Sequence, residues 1–380
     1  MTAVDSPEKI LFTSTTDAFL QKEAPLRRVR ELHAAGESFD PDWWQRAAEL
    51  GWAGLLVPED LGGGSVSGSG VTDLATVAEQ LGKTVAPGPL YPVSVVLGGL
   101  VGCAERQDHT AIIESLVSGE QVASWAVSEP GRGWAPLDPS VTAIQTDSGY
   151  RIDGTKDRVE AGGQSAVLLV VARCGDEVRQ FLVPTDTPGV RITPQQSVDL
   201  VKQYARIEFD GVVVQRSAAV GSAAEAVASI NRQSQLAQVL QCSEVVGILQ
   251  TVFDFTVQWA LDRHTFGRPL ASYQALKHQF ADMKLWLEAC RATTAAAVAD
   301  VAADSPAAGL SASIAKSYVG EMAGQIVHGC VQMHGGIGVT WEHDLHMYLR
   351  RVTLYGAMFG TPEEHNLAVY QSEKASRAAR

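Results

Sequence analysis

A block of short strand-like segments lies between two helix-like regions, and this order restricts the chain to few folds. Between about residues 121 and 218, runs rich in β-branched and aromatic residues are separated by Gly, Pro and Asp turn signals. On both sides of this block, apolar residues recur at helical spacing. The pattern predicts an α+β fold with an N-terminal α-helical domain (1–120), a middle β-barrel or sandwich domain (121–218) and a C-terminal four-helix bundle (219–380).

Local signals place several helices and loops. Asp40-Pro41 is a cap followed by an apolar face, and Asp73 is expected to cap another helix after the glycine-rich loop Leu61–Gly70. Apolar residues from Leu236 to Ala260 mark one long amphipathic helix. Asp304-Ser305-Pro306 is expected to break the helices that follow.

Composition excludes several function classes. The formal net charge is −13 and the basic residues are scattered, which disfavours nucleic acid or an anionic membrane as the main partner. Five widely spaced cysteines without zinc-ligand spacing fit a reduced protein. The first residues lack the pattern of a signal peptide, and the longest uncharged stretch, 84–104, is interrupted by prolines. The sequence therefore predicts a cytoplasmic protein that does not span a membrane.

Two segments carry the most specific signal. Arg263–Met283 contains R-x-x-F-G-x-P with a later Gln, and Gln332–Gly338 reads QMHGGIG. With the stretch Trp52–Glu59 and the tripeptide Ser128–Pro130, they resemble the acyl-CoA dehydrogenase family over almost the whole chain. The resemblance implies the family's fold, FAD as cofactor, an acyl-CoA substrate and electron-transfer flavoprotein as electron acceptor.

The chemistry of the motif residues agrees with a dinucleotide. Arg263 offers a fork of donors suited to a pyrophosphate, Gln332 can bond a ribose or adenine edge, and Gly335 lets a backbone approach a ligand closely. Taken singly, each residue also fits a surface Arg or a glycine turn. The resemblance implies that these groups hold the ADP half of FAD bound by a neighbouring subunit. The cofactor-binding residues it assigns are Arg263, Phe266, Gln274, Gln332, Gly335, Gly336, Trp125, Val127, Ser128 and Thr361.

The catalytic carboxylate of the family is missing. Members of the family remove the α-proton of the acyl-CoA with a Glu while hydride leaves the β-carbon for the flavin. One family position for that Glu matches Phe359 here, and the other matches Ala237. Glu244 lies two helical turns after Ala237 and is a weak candidate for a displaced base; a polar residue at a helix interface is the simpler interpretation.

The part of the sequence expected to contact the flavin ring also departs from the family. Arg158 and Glu160 stand where the family has Trp and Thr beside the ring, and Trp134 follows Gly133 where Ser usually stands. The sequence thus keeps the ADP half of the site and changes the ring half.

Three hypotheses follow. The first is the base-lacking subunit of a heteromeric acyl-CoA dehydrogenase, similar to the α2β2 enzymes of steroid side-chain oxidation, with a homologous Glu-bearing partner subunit and a bulky acyl-CoA substrate. The second is a self-sufficient homotetramer with Glu244 as base, and the third is a flavin-dependent monooxygenase on the same fold. His334, His343 and His346 are expected at a helix surface or near FAD and not on a metal ion.

Overall fold

The computed structural model describes residues 6–378, so positions 1–5 and 379–380 of the two outer predicted domains lie outside it. The chain begins with helices. Helix α3 forms as predicted, because Asp40 accepts a hydrogen bond from the amide of Asp42 and Pro41 occupies the first turn. The helices before the sheet are α1 (Pro7–Glu23), α2 (Leu26–Ala35), α3 (Pro41–Glu49), α4 (Gly70–Thr84), α5 (Leu90–Val101) and α6 (Thr110–Val117).

The prediction that Asp73 caps α4 is wrong. The cap is Ser69, whose hydroxyl accepts from the amide of Thr72. Asp73 is fully buried in the first turn, and its carboxylate accepts from the amides of Val66 and Ser67. Asp73 therefore holds the glycine-rich loop onto the helix, a role that helix-capping statistics do not reveal.

Eight strands form the middle of the molecule as one sheet, in the order β6-β7-β3-β2-β4-β5-β8, with β1 parallel to β4. Most follow the predicted runs, but two strands were not expected: 190–195 is largely polar, and β8 has only two residues. The strands are β1 (Ala123–Ala126), β2 (Thr142–Gln145), β3 (Gly149–Glu160), β4 (Val167–Cys174), β5 (Glu177–Pro184), β6 (Val190–Gln195), β7 (Tyr204–Gln215) and β8 (Ala219–Val220).

A helical domain follows the sheet, and its centre is the 40-residue helix α7. Helices α7, α8 and α9 pack on one another, α10 packs on α7 and α9, and α11 packs on α9. The predicted break at 304–306 separates α8 from α9. The elements are α7 (Ala223–Asp262), β9 (His264–Thr265), β10 (Arg268–Pro269), α8 (Gln274–Ala302), α9 (Ala308–His334), α10 (Leu345–Ala357) and α11 (Pro362–Ala378).

Helix α7 also joins the domains. It packs against α4 and α5 of the N-terminal domain and against β5 of the sheet. Among the described helices, α7 alone is long and apolar enough to cross a membrane, but 89% of its most apolar window is buried inside the protein. Its length and apolar character are therefore those of a core helix.

Candidate flavin site and motif surface

The R-x-x-F-G motif forms a tight hairpin at the end of α7. Strands β9 and β10 pair antiparallel, and their two-residue turn is Phe266-Gly267, with φ of +49° and +80°. Two positive φ values define a turn that suits Gly and strains Phe. The turn leaves the ring of Phe266 98% exposed. Strain and exposure of a large aromatic side chain together point to a surface that binds something outside this chain.

The QMHGGIG motif lies against the same end of α7. The indole of Trp259 donates to the carbonyl of Met333, which ties the end of α7 to the end of α9. Helix α9 stops at Gly335, whose φ of +66° and ψ of −144° favour glycine. A methyl group added to Gly336 would meet no atom within 4 Å, so this backbone is open to a ligand.

The remaining residues assigned to the ADP half are also exposed. Arg263 follows the last residue of α7, and its guanidinium lies 5.9 Å from the ring centre of Trp259. Gln274 is the first residue of α8, and Gln332 lies in the last turn of α9. We call the surface formed by Arg263, Phe266, Gln274, Gln332, Gly335 and Gly336 the motif surface. Its donors and open glycine backbone suit the ADP half of FAD.

Phe359, which the resemblance assigns to the family's carboxylate position, forms an aromatic plug. Its ring stacks on Trp125 at 6.4 Å between ring centres and meets Trp134 edge-on at 5.4 Å. The backbone of Phe359 has a φ of +56°. Its carbonyl accepts from the ring of His365 at 2.9 Å and from the side-chain amide of Gln238 at 3.3 Å. Aromatic packing and these two bonds hold Phe359 between the sheet and the helical domain.

A capping box after Phe359 fixes the neighbouring turn. The amide of Thr361 donates to one carboxylate oxygen of Glu364, and the amide of Glu364 donates to the Thr361 hydroxyl. The other oxygen of Glu364 accepts from the amide of Trp134. Thr361, which the resemblance assigns to the cofactor, is therefore the N-terminal residue of this capping box. The spacing Thr-x-x-Glu was a sequence signal for this contact that the motif comparison passed over.

The space beside the plug is nearly closed. The cavity between Trp125, Val127, Ser128, Met358 and Phe359 has a volume of about 20 Å³. Such a volume holds about one water molecule, whereas a flavin ring system is many times larger. Trp125, Val127 and Ser128 are the positions expected to contact the ring, and two of them use their carbonyls internally. The carbonyl of Val127 accepts from Lys156, and that of Ser128 accepts from the amide of Asp157. The residues present do not fit the flavin ring, and no chemical step is derived through it in this chain.

Charged groups beside this cavity are held by other protein atoms. Arg158 has a φ of +50° and donates to Asp157 and to the carbonyls of Glu129 and Arg132. Glu160 forms a buried ion pair with Lys202 at 2.8 Å. Arg158 and Glu160 thus hold loops of the middle domain together at positions that the resemblance assigns beside the flavin ring.

Glu244 lies away from the cavity in a buried ionic network. It is 1% exposed, forms an ion pair with Arg351, and accepts hydrogen bonds from the hydroxyls of Tyr91 and Tyr355. Arg351 also pairs with Asp199 at 2.6 Å. This arrangement argues against a displaced base, because a carboxylate bound to a guanidinium and two hydroxyls has no route to a substrate carbon. Ala237, the other family position, is fully buried.

Another buried ion pair supports the loop that carries Trp134. Glu129 and Lys156 lie 2.8 Å apart, and the carboxylate also accepts from the amide and hydroxyl of Ser140. Burial by itself raises the pKa of Glu129, but Lys156 and Ser140 outweigh it and lower that pKa to about 2. Burial lowers the pKa of Lys156 to about 8, against the attraction of Glu129.

Comparison with known proteins identifies the family. Models of the N-terminal, middle and C-terminal domains of acyl-CoA dehydrogenases match residues 6–120, 124–212 and 228–372. The chain belongs to the acyl-CoA dehydrogenase family. Members of this family are FAD-dependent oxidoreductases, which the sequence had indicated.

Individual acyl-CoA dehydrogenases are similar to this chain over nearly its whole length. The chain is 26% identical to the acyl-CoA dehydrogenase IpdE2 of Mycolicibacterium smegmatis, over 94% of this chain and 96% of that protein. It superposes on a Tcur3481–Tcur3483 steroid acyl-CoA dehydrogenase variant with a TM-score of 0.87 and 26% identity, covering 98% and 99% of the two chains. It superposes on the ChsE4–ChsE5 complex of Mycobacterium tuberculosis with a TM-score of 0.88 and 25% identity, covering 98% and 99%.

Proposed function

We propose that this chain is the base-lacking subunit of a heteromeric acyl-CoA dehydrogenase that forms a 2-enoyl-CoA from a bulky acyl-CoA. The observation that carries the proposal is the plug: Phe359 stands at the carboxylate position and packs on Trp125 and Trp134. With a cavity of about 20 Å³ beside it, this chain offers neither a base nor space for the flavin ring. Both must therefore come from a homologous, Glu-bearing partner subunit.

The motif surface supplies this chain's part of the site. Arg263, Gln332 and Gly336 would hold the pyrophosphate and ribose of an FAD whose ring lies in the partner. Phe266, which is 98% exposed, would be covered in the assembly. One FAD per pair of different subunits is the expected stoichiometry.

The relatives support a heteromeric assembly and a bulky substrate. The ChsE4–ChsE5 complex contains two differently named chains, and the Tcur3481–Tcur3483 protein is described as a steroid acyl-CoA dehydrogenase. From the steroid relative we extend an acyl-CoA with a large alicyclic acyl group. The family resemblance adds electron-transfer flavoprotein as the proposed electron acceptor, and the cysteine pattern adds a proposed cytoplasmic location. The closed cavity counts against a self-sufficient homotetramer and against a flavin monooxygenase, because both need the ring in this chain.

Coexpression tests the proposal. Expressed alone, the chain should contain little flavin or be unstable; coexpressed with a Glu-bearing homologue encoded beside it, it should yield a yellow complex with one FAD per two chains. Flavin absorbance per chain after gel filtration measures this. A stable homotetramer with one FAD per chain, whose flavin is bleached by acyl-CoA under anaerobic conditions, would overturn the proposal.

Arg263→Ala should lower FAD occupancy of the complex without preventing folding. A charge-assisted bond to pyrophosphate is worth roughly 1.5–3 kcal/mol, or about ten- to a hundred-fold in flavin affinity. Arg268→Ala is the matched control, because Arg268 has the same charge in the same hairpin but lies 3.9 Å from the ring centre of Tyr273. Equal flavin retention by both variants at low free FAD would show that Arg263 is only a charge at a helix end.

A further inference from the structure

A second cavity lies next to the motif surface, between the ends of α7 and α9 and the loop before α10. Its volume is about 420 Å³. Phe255, Trp259 and His334 form aromatic walls, with Trp259 stacked on His334 at 5.1 Å and 19°. Asp262, Glu342 and Asp344 also line this cavity. We call it the aromatic-acid cavity.

The histidines fix which hydrogen bonds the cavity can make. The Nδ1 of His334 lies 2.8 Å from the carbonyl of Cys330, which can only accept, so Nδ1 carries the proton and Nε2 is an acceptor. Burial lowers the pKa of His334 and favours this neutral form. The ring is 6% exposed, and no hydrogen bond in the described part of the chain reaches its Nε2. His343 has the other tautomer, because its Nδ1 accepts from the amide of Leu345.

Two of the three carboxylates are available to a ligand. Glu342 is exposed and forms no hydrogen bond or ion pair with any residue that the structure describes. Within the same part of the chain, the carboxylate of Asp262 accepts only from the side-chain amide of Gln258. Arg263 contacts Trp259 but does not line the cavity and makes no ion pair with these carboxylates. The cavity therefore offers mainly acceptors, with negative charge, between flat aromatic walls.

A planar cation that donates several hydrogen bonds matches this set of groups. A guanidinium stacks on aromatic rings, pairs with carboxylates and is always charged, whereas a phosphate or carboxylate would be repelled. A metal ion is a poorer match, since no group of three ligating side chains suited to a metal exists among residues 6–378. The same loop already binds one guanidinium: Arg30 lies 5.5 Å from the ring centre of Trp341 and pairs with Asp344 at 2.8 Å.

We propose that the aromatic-acid cavity receives an arginine side chain of the partner subunit and thereby selects that partner. This inference rests on the proposed function, because the cavity is continuous with the motif surface: Asp262 precedes Arg263, and His334 precedes Gly335. A guanidinium packed against the aromatic walls and bonded to Asp262 and Glu342 places the partner beside the ADP half of FAD. An uncharged or acidic side chain at that position of another homologue would leave both carboxylates buried and unpaired, which disfavours wrong pairs.

The test measures assembly of the coexpressed complex. Asp262→Asn with Glu342→Gln removes both charges and keeps the shapes; the control, Asp176→Asn with Glu177→Gln, makes the same change at the exposed turn between β4 and β5. Binding to the immobilised partner should weaken about ten-fold or more in the first variant and less than about two-fold in the control. Equal affinities would overturn the inference while leaving the heteromeric function intact. Absence of any heteromer would overturn both.

A structure of the complex gives a second readout. It should show an arginine of the partner between Trp259 and the two carboxylates. Substituting that arginine with Met should weaken assembly to the same extent as Asp262→Asn with Glu342→Gln, and combining the changes should add little. A cavity filled by the adenine of FAD, by an apolar side chain or by water would refute the inference.

Discussion

At Phe359, backbone strain opposes the stability that the packing of its ring provides. Its positive φ of +56° costs a non-glycine residue roughly 1–2 kcal/mol, while its ring contributes packing on two tryptophans. The side chain is only partly buried, so its loss costs less than that of a core Phe. A strained residue that closes a pocket fits the proposed role of a subunit that leaves proton abstraction to its partner.

Substitutions of Phe359 separate the contribution of backbone strain from that of ring packing. Phe359→Ala should lower the free energy of unfolding by about 2 kcal/mol, and Phe359→Gly by about 1 kcal/mol less than that because Gly relieves the strain. Turnover of the assembled complex should stay close to wild type in both. Thermal unfolding and steady-state turnover on an acyl-CoA panel measure this. A variant that folds normally but loses turnover would place Phe359 in the reaction.

Phe359→Glu restores a carboxylate at the family position without restoring the site. We expect no second active site, because the cavity of about 20 Å³ still excludes the ring and burial would favour the protonated acid. Anaerobic flavin bleaching per FAD should be unchanged. A doubling of bleachable flavin would mean that the ring site is open in solution.

At the scale of elements, the buried Glu129–Lys156 pair joins the loop after β1 to β3. The pKa of Glu129 falls from an ordinary 4.5 to about 2 in the folded chain, so this group stabilises the fold above pH 4.5 and loses that effect as the pH falls toward 2. The difference corresponds to about 3 kcal/mol.

Glu129→Gln should therefore destabilise the chain at pH 7 and flatten its stability profile between pH 4.5 and 2. Urea unfolding followed by tryptophan fluorescence measures both effects. Glu208→Gln is the control, since Glu208 pairs with Arg191 on the surface, where an ion pair contributes little. The assignment fails if the two variants have parallel pH profiles.

At the scale of the whole molecule, Arg351 holds three domains together. It pairs with Glu244 of α7 and with Asp199 of the middle domain, and it donates to the carbonyls of Val85 and Ala86 after α4. Arg351 is fully buried, so removal of one partner leaves uncompensated charge between the domains.

Glu244→Gln distinguishes a structural carboxylate from a displaced base. We expect a loss of about 3–5 kcal/mol of stability, with turnover per folded, flavin-bearing complex unchanged. Tyr355→Phe removes one hydrogen bond to the same carboxylate and should cost about 1 kcal/mol. Calorimetry and flavin bleaching on the same samples distinguish the two roles. A stable, flavin-bearing Glu244→Gln complex that no longer bleaches would show that Glu244 is the base.

The sequence by itself determined the features that local patterns encode. Cap and periodicity signals specify α3, and Asp304-Ser305-Pro306 specifies the break between helices. Runs of β-branched and aromatic residues between turn signals specify most of the strands, and the motifs specify the family. The sequence located the R-x-x-F-G motif but did not predict its hairpin. This hairpin could have been predicted, because Phe266-Gly267 is a two-residue turn whose shape depends on neighbouring residues only.

Only the tertiary structure decided what the distant residues do. Glu244 and Arg351 are 107 positions apart, and Phe359 meets Trp125 and Trp134 across two domains, so no periodicity or spacing records these contacts. Asp73 was misassigned for a more local reason: its carboxylate accepts from loop amides six and seven positions before it and not from amides of its own helix. Propensity and patterning act over a few residues, whereas ion pairs and pocket volumes depend on which side chains the completed fold brings together.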